Sequence, residues 1–118
     1  MNLEQINSLI EEAMKVGNEK SLEYFDNELN GKDKMPCGFA WIVFETYQGK
    51  KINGRTKIGK MLKELGLKQV YEDKKFYIWN PGGLNIQNID CKEVGARAVT
   101  KYINDNSEFY CWVNSRLD

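Results

Sequence analysis

The chain has 118 residues and a mass of 13.7 kDa, 42 % hydrophobic and 29 % charged, which fits one domain able to bury a core and excludes intrinsic disorder. Seventeen Lys/Arg balance seventeen Asp/Glu, so whole-molecule charge gives no general attraction to nucleic acid or membrane, and the absence of histidine removes Ser-His and Cys-His nucleophile pairs and His-containing zinc sites. With no long apolar run, no leader pattern and three cysteines, an odd number, the expectation is a soluble cytoplasmic protein with free thiols.

In chain order, Asn2 is a helix cap ahead of Leu3, Ile6, Ile10 and Ala13 on one face, with Gly17 as a stop. Asn18 then starts a second helix carrying Leu22, Phe25 and Leu29, and Asn30-Gly31 supplies its left-handed exit, so a helical hairpin over residues 1–34 is expected to pack on the main domain, 35–118. Residues 37–46, with Phe39, Trp41, Ile42, Val43 and Phe44, read as a central strand apolar on both faces. A loop over 49–54 leads to Thr56, the cap of a helix whose Ile58, Met61, Leu62 and Leu65 form a stripe ending at Gly66. Two strands over 67–72 and 75–80 join across Asp73-Lys74 as a hairpin, and Pro81-Gly82-Gly83 opens a polar loop. Asp90 and Glu93 form a capping box for a helix with Cys91, Val94, Gly95, Ala98, Val99, Tyr102 and Ile103 on its apolar face. A last strand over 108–114 alternates Phe109, Cys111 and Val113 with Tyr110 and Trp112. After residue 36 the order strand, helix, strand, strand, helix, strand predicts an α+β fold, a ferredoxin-like split βαββαβ antiparallel sheet preceded by the helical hairpin. Whether that hairpin covers the second face of the sheet decides what the sheet can bind.

Charge is uneven along the chain. Residues 1–36 carry eight acids and four bases, whereas 50–68 carry seven bases, Lys57 among them, against Glu64 alone. A solvated helix face and an anion site at a helix N-terminal turn both explain the basic stretch. Rings are dense in the strands: Phe39, Trp41, Phe44, Phe76, Tyr77, Trp79, Phe109, Tyr110 and Trp112. Most read as core. On an uncovered sheet face such rings stack bases, but the glycine-containing pattern of RNA-recognition strands is missing from 75–79. Asn85, Gln87 and Asn88 offer amides suited to base or ribose edges, and Arg97 and Arg116 can fork onto a phosphate or pair with surface carboxylates. No C-x-x-C spacing is present, so the cysteines read as core filling with no metal, and no carboxylates pair as a catalytic dyad.

Three segments, Met35-Pro36-Cys37-Gly38-Phe39-Ala40-Trp41, Gln87-Asn88-Ile89-Asp90-Cys91-Lys92, and the terminal Ser115-Arg116-Leu117-Asp118, resemble small proteins of tailed phages and prophages that read P-C-G-F-A-W, Q-S-x-D-x-K and S-R-L-D. Asn88 stands where that pattern has Ser, replacing a hydroxyl by an amide. The resemblance spans 35–118 and implies a phage accessory protein in the cytoplasm of an infected bacterium. From it follows the expectation of a non-enzymatic, cofactor-free homo-oligomer that sequesters a nucleotide-derived immune signal. Trp41 or Trp79 would stack on the base, Asn80, Gln87 and Asn88 would meet polar edges, and Lys57, Arg97 and Arg116 would neutralise phosphates. The competing expectations are an inhibitor that docks on a host defence protein, and a single-stranded nucleic-acid-binding module.

Overall fold

The computed structural model describes residues 1–70 and 74–118. Three helices and five strands alternate as α1 (Leu3–Asn27), β1 (Gly38–Tyr47), β2 (Lys50–Lys51), α2 (Lys57–Glu64), β3 (Lys68–Gln69), β4 (Phe76–Trp79), α3 (Ile89–Asn106) and β5 (Phe109–Leu117). The fold is α+β, with one antiparallel sheet. Residues Trp41, Ile42, Val43 and Phe44 pair with β4 on one side and with β5 on the other, which makes β1 the central strand. β3 lies outside β4, and β2 continues the β4 edge beyond the end of that strand. The β1–β2 hairpin, absent from the sequence reading, turns on Gln48 and Gly49, both at positive φ (54° and 76°), the conformation a two-residue hairpin turn requires.

The N-terminal segment corrects the expected hairpin: α1 is one 25-residue helix. Asn2 caps it through Gln5 in a full capping box, as the sequence suggests, but Gly17 does not stop it. Gly17 is buried against α3, where a Cβ would overlap Val99 Cγ2 and stand 2.9 Å from the Gly95 carbonyl oxygen. The glycine serves close helix packing rather than termination. The chain leaves the helix at Asn30 and Gly31, both left-handed, as expected.

Alternation in β1 sends Ala40, Ile42 and Phe44 into a core built with Ile6, Ile10 and Ala13 of α1, Leu62 of α2, Phe76 of β4, Val99 and Ile103 of α3, and Cys111 of β5. All three helices feed this one cluster, so they lie on the same side of the sheet. The cap of α3 also differs from expectation. Asn88, not Asp90, is the N-cap, its side-chain oxygen accepting from the Cys91 N–H at 2.8 Å. Asp90 sits in the first turn, where its charge favours the helix dipole. Thr56 caps α2 as read. Of the expected 67–80 hairpin the sheet holds Lys68↔Tyr77 and Gln69↔Phe76, while the part of its turn at Tyr71, Glu72 and Asp73 lies outside the described residues. No described helix is long and apolar enough to cross a membrane.

Candidate functional site

With the helices on one side, the opposite face of the sheet carries no helix among the described residues. β1 contributes Phe39, Trp41 and Val43 to that face, and the antiparallel register adds Tyr77 and Trp79 from β4 and Trp112, Asn114 and Arg116 from β5. The expectation that most rings are core is therefore corrected. Phe44, Phe76 and Phe109 are buried among the helices, with Tyr47 packed on Phe109, whereas Phe39, Trp41, Tyr77, Trp79, Tyr110 and Trp112 stand on the far face or at its rim. The cause is the period of two: Phe39 and Trp41 share one parity and Phe44 has the other.

The far-face rings are ordered. Phe39 meets Trp79 with centroids 5.6 Å apart, Trp79 stacks on Trp41 at 5.0 Å and 17°, and Trp41 stacks on Tyr77 at 6.5 Å. A row of four rings thus zigzags along the β1–β4 ladder. Trp79 is the most open of them, 49 % exposed, whereas Val43 is 1 % exposed because ring-bearing neighbours close over it. The Trp41 indole N–H is buried with no partner among the described residues.

Cations gather at the Phe39 end. Lys92 Nζ stands 5.3 Å from the Phe39 ring centroid and the Arg116 guanidinium 5.5 Å from it, within cation–π range. Lys92 also donates to the Gly38 carbonyl at 2.8 Å, which fixes its position. At the same corner Gly38 N–H donates to the Gln87 carbonyl, the Cys37 thiol lies 3.2 Å from Gln87 Oε1, and Asp118 N–H donates to the Cys37 carbonyl. The three motif segments, far apart in the chain, meet here.

The eight residues singled out from sequence are divided by this geometry. Trp41, Trp79 and Arg116 belong to the ring row. Asn80 follows it, held by its own Nδ2 donating to the Leu84 carbonyl, with Oδ1 buried and unpartnered among the described residues. Gln87 lies at the Phe39 corner and is exposed. Asn88 is 1 % exposed, its amide nitrogen donating to the Lys34 carbonyl at 2.7 Å and its oxygen spent on the cap, so both ends are engaged within the chain. Lys57 lies apart, in a groove of about 360 Å3 with Lys50, Lys51 and Tyr47 at the other end of β1. Arg97 projects from α3 and pairs with Glu93 at 3.1 Å, on the helix side of the sheet. The sequence reading missed Phe39 and Tyr77 as site members, although each is two residues from a chosen tryptophan and so shares its face. Lys92 carries no such local signal, because only the tertiary approach of α3 to Gly38 brings it to Phe39.

The thiols differ in chemistry. Burial pushes the Cys111 thiol far above its ordinary value of 9.0, and burial is also the first cause raising Cys91. Cys37 is only partly buried. At pH 8 a thiol reagent is therefore expected to modify Cys37 alone in the folded protein and all three cysteines in denaturant, read as label counts by intact mass. Rapid labelling of Cys111 under native conditions would contradict its placement. The linkage has a definite sign: above about pH 9 the unfolded chain releases thiol protons that the fold retains, so stability falls as pH rises.

No protein-family model matches this chain, and no curated protein or solved structure does.

Proposed function

We propose that the chain is a non-catalytic binding protein that takes the base of a nucleotide-derived, phosphate-bearing ligand on its helix-free sheet face. Following the resemblance to tailed-phage accessory proteins, its role is to withhold such a signal from host defence. The observation that carries the reading is the Phe39–Trp79–Trp41 row with Arg116 and Lys92 on the ring at its end. Rings bind the flat base whatever its identity, while the guanidinium and ammonium meet a phosphate. Lys57, Arg97 and Asn88 drop out of the ligand set on this reading, and Phe39, Tyr77 and Lys92 enter it. The split βαββαβ arrangement belongs to the same proposal. It is supported by the order β5-β1-β4-β3, antiparallel throughout, with α2 and α3 as the two crossovers.

Quenching of tryptophan fluorescence by AMP, ADP-ribose and cyclic diadenylate tests the reading. At least one is expected to bind and to be recovered chemically unchanged after heating. Trp79→Ala should weaken that binding by a stacking contribution of about 1–3 kcal/mol, roughly ten- to a hundred-fold. Failure of the whole panel, together with a stoichiometric protein partner recovered from defence-expressing cells, would favour the inhibitor reading instead.

A further inference from the structure

Resting on that reading, we infer that the ligand carries at least two bases joined by a phosphodiester, laid along the ring row from Phe39 to Tyr77. The row has three successive ring steps, of 5.6, 5.0 and 6.5 Å, more than a single base can cover. Cations stand at both of its ends. Arg116 is the register partner of Phe39, and the exposed Lys68 is the register partner of Tyr77. They sit on the two outer strands, roughly 14 Å apart across three strand spacings before any offset along the strands is added. One phosphate cannot serve both.

The chain's neutrality conceals this arrangement. Glu45 is the acid that β1 places among these rings, and it is already paired with Lys75 at 3.0 Å, while Lys75 also lies over Trp112 at 5.7 Å. On the other side of the sheet α1 carries an acidic excess, Glu4, Glu11, Glu12, Glu19, Glu23 and Asp26 against Lys15 and Lys20. Local charge complementarity to a polyanion therefore coexists with zero net charge.

The test compares AMP, linear diadenylate (pApA), cyclic diadenylate and an octa-adenylate single strand on the full chain by fluorescence titration at two salt concentrations. The expected result is that pApA binds at least ten-fold tighter than AMP, the gain of one further stacked base. Lys68→Ala should weaken pApA several-fold and weaken AMP less, because AMP retains the Arg116 end of the row whereas pApA needs a cation at each end. The cyclic and octameric probes separate the two sources of this chemistry. Tight binding of cyclic diadenylate alongside pApA but not of the octamer indicates a free messenger, and tight binding of the octamer, weakening with salt, indicates a nucleic-acid strand. Equal affinity for AMP and pApA would overturn the inference and leave the functional reading standing. No binding by any of the four probes or by ADP-ribose would overturn both.

Discussion

Phe44→Ala is expected to lower the free energy of unfolding by about 3–5 kcal/mol, the range for removing a buried phenylalanine ring. Phe44 is fully buried, and its ring makes an edge-to-face contact with Phe109 at 5.4 Å and 89° beneath the helices. The loss combines transfer of the ring from water, the cavity left behind and that aromatic contact. For a domain of this size, whose total stability is on the order of 5–15 kcal/mol, the midpoint of thermal unfolding should fall by roughly 10–20 °C. Trp79→Ala supplies the contrast. Its ring is 49 % exposed and stacks with Phe39 and Trp41 on the helix-free face, so its removal should cost about 1 kcal/mol of stability while weakening ligand binding roughly ten- to a hundred-fold. Parallel denaturant titrations decide the matter. Similar costs for the two variants would mean that the second face is also core, covered by something, and the binding surface would be lost with that result.

That contrast depends on a distinction the sequence only half contains. The alternation of β1 is legible from residues 37–46, and so are the caps at Asn2 and Thr56, the left-handed exit at Asn30-Gly31 and the order of elements after residue 36, because each rests on local backbone chemistry. Which parity of β1 faces the helices is not local. Ile42 and Phe44 on one side and Phe39 and Trp41 on the other are equally apolar, and the choice is made by where α1 lies. Gly17 shows the same limit. A glycine within a helical pattern reads as a stop unless the partner surface that needs its missing side chain is known, and that surface, Gly95 and Val99, is nearly eighty residues away. The site followed the fold. Residue type alone points to Trp41, Trp79 and Arg116, whereas Lys92 carries no local signal, and the charge of Lys57 and Arg97 does not tell which side of the sheet they occupy.

Gly95→Leu is expected to cost about 3 kcal/mol or more, because the α1–α3 contact has no room for a side chain there. At this crossing Gly17, Ser21, Gly82 and Gly95 meet. A Cβ on Gly95 would overlap Ser21 Oγ, stand 2.9 Å from Gly82 Cα and lie 3.2 Å from the Gly17 carbonyl oxygen. Two of these neighbours are backbone and cannot rotate away. Ser21 is itself constrained, being fully buried, with its hydroxyl donating to the Cys91 carbonyl at 3.1 Å while the Cys91 thiol donates to the Ser21 carbonyl at 3.2 Å. Forcing the helices apart would therefore break a reciprocal pair of hydrogen bonds as well as the packing. Gly95→Ala gives the sharper test, since at an exposed helix position the same change stabilises by about 1 kcal/mol through propensity. Here it should destabilise. Adding Ser21→Gly should recover only part of the loss, because the approach to Gly82 Cα remains. If Gly95→Ala raised the unfolding midpoint, α1 would not lie against α3 as described, and it would then be free to cover the ring-bearing face.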